Sequence, residues 1–85
     1  MYDFLINNYV NNKLSLEDIY KFANKNGVNI NENDAKVIFY YIKNYWQLFY
    51  KGNPDNLFME IKNKVSPDVY NKCVELYYEY KKMIN

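Results

Sequence analysis

Apolar residues along the chain recur at three- and four-residue intervals, and short polar punctuation divides them into five segments of helical period. The pattern predicts an all-α fold, a compact bundle of about five short helices of which the third and fifth are longest. The first helix, about residues 2–12, carries Leu5, Ile6, Tyr9 and Val10 on one side. Leu14 then leads into a helix start at which Ser15 can accept backbone N–H bonds, with Asp18 at the third helical position as a variant of the capping box. The second helix runs to about Asn26 with Leu16, Ile19, Tyr20 and Ala23 on one face. Gly27 follows, where a left-handed terminating residue is wanted.

Beyond Val28-Asn29-Ile30, Asn31 can cap a third helix whose first turn holds Glu32 and Asp34, the charge that the helix dipole favours there. At 100° per residue, Ala35, Ile38, Phe39, Ile42, Trp46 and Phe49 share one face, and Val37, Tyr41 and Leu48 widen it along one flank. Apolar side chains then cover about 220° of the circumference, more than one neighbouring helix can bury. Lys51-Gly52-Asn53-Pro54 ends this helix; Asn53 is read as the cap of a fourth with Pro54 at its first position, burying Leu57, Ile61 and Val65. Ser66-Pro67 repeats that signal. The last helix, about 67–83, turns Val69, Cys73, Leu76, Tyr77 and Tyr80 inward and leaves Val74 and Tyr78 off the stripe. Glu17–Lys21, Glu32–Lys36, Glu60–Lys64 and Asp68–Lys72 stand four apart in the favourable order, which marks solvated faces.

Length admits a single domain, residues 1–85, since a second core would not fit in a chain of this size. With 49% hydrophobic residues it can bury a core, and scaling by length puts its stability at about 4–12 kcal/mol. Eleven lysines and no arginine balance ten acidic residues to a net charge of +1, which indicates neither a strongly basic nucleic-acid binder nor an acidic mimic. Eleven Tyr and fifteen Asn beside two Gly match the usage of A+T-rich codons, so their abundance says little about function. A single cysteine forms no internal disulfide, and apolar runs such as Val37 to Ile42 fall far short of the roughly 20 residues that span a membrane. Met1-Tyr2-Asp3 lacks the basic start of a signal peptide, so a cytoplasmic location is expected.

Candidate chemistry is thin. Without histidine, neither Ser nor Cys has the usual base beside it, and Ser15 and Ser66 are both accounted for as helix caps. Cys73 falls on an inward stripe, and structural zinc would need four Cys or His ligands. Asn29, Asn31, Asn33 and Asp34 resemble the opening of a calcium loop, but its sixth and twelfth places hold Asp34 and Tyr40 where Gly and Glu are required. Glu75 and Glu79 share a face with Lys72 and Lys82 near enough to neutralise them, and Gly27 and Gly52 are too isolated to form a phosphate loop. A helix-turn-helix beginning at Phe22-Ala23 and Gly27-Val28 fails because Asn33 and Lys36 occupy its apolar positions, while Glu32 and Asp34 would repel phosphates. The expectation is a non-enzymatic protein with no catalytic residue, metal, cofactor or small-molecule substrate.

Two surfaces remain. Residues 35–54 contain no acidic residue, and Lys36, Tyr40, Lys43, Gln47 and Lys51 adjoin on the helical wheel, a strip able to contact single-stranded nucleic acid. Lysine lacks the planar fork of arginine, and three of them make a small electrostatic footprint. More of the sequence is explained by contact with a protein, through Val37, Tyr41 and Leu48 on helix three and Val74 and Tyr78 on helix five.

Val10-Asn11-Asn12-Lys13, Ser15, Asp18-Ile19, Phe22-Ala23, Ala35, Ile38, Ile61, Val65-Ser66-Pro67, Val74 and Leu76-Tyr77 occur in an order that resembles the YqfT-type family of small Bacillota proteins, a domain of unknown function. The chain departs from that family at Gln47 to Asn53 and in helix four, which lacks Arg. The resemblance implies an all-helical cytoplasmic protein of a low-G+C bacterium or its phage, and it brings no activity or site. The preferred expectation is therefore protein–protein contact, with a cellular partner or with itself as a homodimer. Weak single-stranded nucleic-acid binding and a phage-type inhibitor covering a host enzyme are the alternatives.

Overall fold

Ser15 starts its helix as the spacing requires: its Oγ accepts from the Asp18 backbone N–H, and the Asp18 carboxylate accepts from the Ser15 N–H at 2.9 Å. The computed structural model describes residues 2–84, with side chains from 4 to 83. Five helices follow one another: α1 (Tyr2–Asn12), α2 (Leu16–Lys25), α3 (Glu32–Lys51), α4 (Asp55–Lys62) and α5 (Pro67–Ile84). No strand occurs among the described residues, and the third and fifth helices are the longest. Gly27 ends α2 at φ +75°, the left-handed conformation that costs glycine nothing. Asn31 Oδ1 accepts from the Asp34 N–H to open α3.

Helix α3 is the spine. Its backbone approaches those of all four other helices, whereas among the described residues α1 and α2 come close to neither α4 nor α5. The core consists of Ile19, Ala35, Ile38, Tyr41, Leu57, Phe58, Ile61 and Val69, with Phe49, Cys73, Val74 and Tyr77 packed on it. Three rings tie α4 and α5 to α3, since Phe58 meets both Phe49 and Tyr77 in edge-to-face contacts at 5.4 and 5.2 Å.

Several expectations are corrected. The third helix is not continuous, because Tyr45 leaves the helical region (φ −133°, ψ 22°). Beside this break the Asn44 amide donates to the Tyr40 carbonyl at 2.8 Å, a side-chain bond of the kind that competes with the backbone ladder. Pro54 precedes α4 rather than starting it, and Asn53 Oδ1 accepts from the Asp55 N–H. Of the four apolar residues on α1 only Val10 is buried, and Leu5 is 61% exposed. Val74 packs against the core instead of lying outside it. Phe58 is a core residue that the predicted stripe of helix four omitted.

Ser66 is not a simple cap either. Its hydroxyl and its backbone N–H both donate to Asp34 Oδ2, at 2.9 and 3.2 Å. Asp34 is the only buried charged residue among those described, and its carboxylate serves the N-terminal ends of α3 and α5 together. This bond joins the α1–α3 half of the molecule to the α4–α5 half.

Candidate functional site

Because α2 and α5 both lean on α3 without reaching one another, the seam between them stays open as an apolar groove of about 380 Å³. Ile38, Ile42 and Trp46 of α3 form its floor, Phe22 and Ala23 of α2 one wall, and Cys73, Leu76 and Tyr80 of α5 the other, with Ile6 and Val10 of α1 at one end. The volume falls within the range of small-molecule pockets, about 300–1,000 Å³. Phe22 and Tyr80 line the groove and yet are 55% and 42% exposed, so they stand at its rim. Helix three's apolar arc explains the opening, since α4 and the short flanking helices cover only part of it.

Cys73 sits in that wall. Burial, reinforced by the charge of Asp34, pushes its thiol up to about 11, so at neutral pH it is a protonated, apolar wall residue rather than a nucleophile. Burial likewise raises the Tyr77 hydroxyl, with smaller contributions from Tyr78 and Asp55. Among the described residues no three His, Cys, Asp or Glu side chains gather as a metal site requires. No helix among them is long and apolar enough to cross a membrane.

The five residues expected at a protein interface do not form one surface. Tyr41 is buried, 3% exposed, which corrects its reading as a surface contact; its hydroxyl donates to Glu60 at 3.0 Å and accepts from Lys64 Nζ at 3.0 Å. Val37 and Val74 are half-buried and pack on the core. Leu48 and Tyr78 are exposed, and of the five only Tyr41 lines the groove. The wheel turns Ala23 and Tyr80 inward and gives Phe22 no face; Tyr80 is instead exposed at the rim, because what fails to cover these residues is a tertiary fact.

On the opposite reading, Lys36, Tyr40, Lys43, Gln47 and Lys51 are all exposed, but the break at Tyr45 separates the last two from the first three. Lys36 is paired with Glu32 at 2.8 Å, a bond that holds the Glu32 carboxyl below its ordinary value and raises the lysine. Lys43 lies over the Phe39 ring at 5.6 Å. Tyr40 is 53% exposed and meets Tyr45 edge-on at 6.3 Å, a contact that raises the Tyr45 hydroxyl. Lys64, contributed by the α4–α5 connection, joins Lys36 and Tyr40 around a shallow hollow that the wheel could not foresee.

No curated protein and no solved structure matches the chain. A family model described as "Protein of unknown function (DUF2624)" matches residues 1–81. The match takes in the capped starts of α2 and α3, the Asp34–Ser66 bond and both walls of the groove, and the chain therefore belongs to the DUF2624 family.

Proposed function

We propose that this chain acts by contact with another protein, which covers the apolar groove between α2 and α5, and that it performs no chemistry of its own. One observation carries the reading: a groove of about 380 Å³ with almost wholly apolar walls and two exposed aromatic rings at its rim. Tyr, Trp and Phe supply large contact area at small entropic cost and are enriched where proteins meet. Its one thiol is held protonated, which supports assigning the site to contact rather than to covalent catalysis. We further place the chain in the cytoplasm, as a YqfT-type member of a Bacillota species or its phage.

Photo-cross-linking in living cells tests this. A benzophenone amino acid at Tyr80, on the rim, is expected to give a discrete protein adduct, and the same group at Glu17, exposed on α2 outside the groove lining, is expected to give none. Filling the groove with Ala23→Trp should abolish the Tyr80 adduct. An adduct with a host enzyme would make the chain an inhibitor of the phage type. Equal labelling at both positions, or no adduct at Tyr80, would overturn the proposal.

A further inference from the structure

We infer that the groove also holds a small molecule, a straight-chain monocarboxylate of about twelve to fourteen carbons whose head group pairs with Lys72. The inference goes beyond protein contact: it assigns a ligand to the same open groove, where the ligand and a protein exclude one another.

Length and width come first. The Asp34–Ser66 bond ties the N-terminal ends of α3 and α5, and Lys81 Nζ donates to the Tyr50 carbonyl at 2.8 Å near their far ends, so the two helices run side by side in the same direction. On α5 the groove lining extends from Val69 to Tyr80, a rise of about 16 Å at about 1.5 Å per residue. A volume of about 380 Å³ over that length gives a mean section of about 24 Å². An apolar cavity of about 150 Å³ holds one benzene ring, about 25 Å³ per carbon, and carbon–carbon bonds of about 1.52 Å advance an extended chain by about 1.25 Å each. One such chain needs a section of about 20 Å², and the groove accommodates about 13 carbons by length and about 15 by volume. The seam therefore fits a single extended alkyl chain, and two chains side by side exceed its section.

The chemistry of the wall comes second. Lys72 is the only charged residue in the lining; it lies within one turn of the Val69 end, and its side chain is 30% exposed, which puts a cation at the mouth of an otherwise apolar seam. A lysine ammonium has three N–H donors, and Glu75, which stands outside the lining, takes one of them at 3.3 Å. The others are left for the oxygens of a carboxylate. With no second cation in the lining, one negative charge is matched and a tail without polar groups suits the rest of the walls.

Trp46, the one tryptophan of the chain, lies in the groove floor and reports occupancy by its fluorescence. Titration of the full chain with dodecanoate, kept below micelle formation, should saturate at one ligand per chain, and decanoate should bind about tenfold more weakly for its two missing methylenes. Dodecylammonium, with the same tail and the opposite charge, should bind at least about tenfold more weakly than dodecanoate, and Lys72→Met should erase that preference. Glu75→Gln, which releases Lys72, should tighten dodecanoate about threefold. Ala23→Trp, which fills the groove, should abolish binding, and Lys82→Met, exposed on α5 outside the lining, should leave it unchanged. Circular dichroism checks that each variant keeps its helix content. The absence of saturable dodecanoate binding, or binding indifferent to either Lys72→Met or Ala23→Trp in the folded variant, overturns the inference. A Tyr80 adduct without dodecanoate binding refutes the ligand and leaves the protein contact standing; dodecanoate binding without an adduct does the reverse.

Discussion

Replacing Asp34 by Ala tests how the two halves of the molecule are held together. Asp34 Oδ2 accepts from Ser66 Oγ at 2.9 Å and from Ser66 N at 3.2 Å, and the residue is 3% exposed. A hydrogen bond to a charged group contributes about 1.5–3 kcal/mol, and truncating one partner leaves the other's donors unsatisfied. Against this stands the desolvation of the carboxylate, which the variant relieves. With two donors orphaned and water able to reach Ser66, which is only half-buried, we expect a net loss of about 3 kcal/mol. That is a quarter to three quarters of the total stability of about 4–12 kcal/mol, and it should lower Tm by roughly 12–24 °C. Ser66→Ala removes one bond of the pair and should cost about 1–1.5 kcal/mol. Urea unfolding followed by circular dichroism measures both, and the double variant completes a cycle with an expected coupling of about 1 kcal/mol. A loss below about 1 kcal/mol for Asp34→Ala, or additivity within about 0.3 kcal/mol, would refute the idea that this bond joins the halves.

Other outcomes follow from the same structure. Gly27→Ala should cost about 1 kcal/mol from the left-handed backbone alone, since an added Cβ meets no atom within 4 Å, and the same urea titration reads it. At pH 8 an unshifted thiol, with its usual value of 9.0, is about one-tenth ionised, and Cys73 at about 11 is about one-thousandth ionised. Disulfide exchange with a small aromatic reagent should therefore run about 100-fold slower in the folded chain than in urea, and its rate should climb about tenfold per pH unit from 8 to 10. For the lysine strip, three cations give a salt slope of only about −2 with single-stranded DNA, measured by fluorescence anisotropy. A slope steeper than about −4, abolished by Lys36→Glu with Lys43→Glu, would move the function to nucleic acid.

Local signals carried the fold well into three dimensions. The Ser15 box, the Asn31 cap, Gly27 and the Ser66-Pro67 start all concern residues within four positions of one another, and the structure forms each helix accordingly. Long-range features were harder to read. Asp34 reads from sequence as a first-turn acid, and nothing near it announces a partner 32 residues away. A straight wheel puts Tyr41 on a flank because it ignores what α4 and the connection after it bring: Glu60 and Lys64 satisfy its hydroxyl and let the ring go inside. The width of helix three's apolar arc did foreshadow uncovered surface. Its location could not be foreseen, because the gap arises from two helices, α2 and α5, that never meet.

The central claim is that the seam over α3 is open in the single copy and closed by a protein. Methyl relaxation by a soluble paramagnetic agent, recorded in a dilute sample, tests it most directly. Ile42 and Leu76, which line the groove and are half-buried, should relax well above Ala35, which is fully buried. If both methyls are as shielded as Ala35 in the dilute sample, the groove is closed in the folded chain and the account fails.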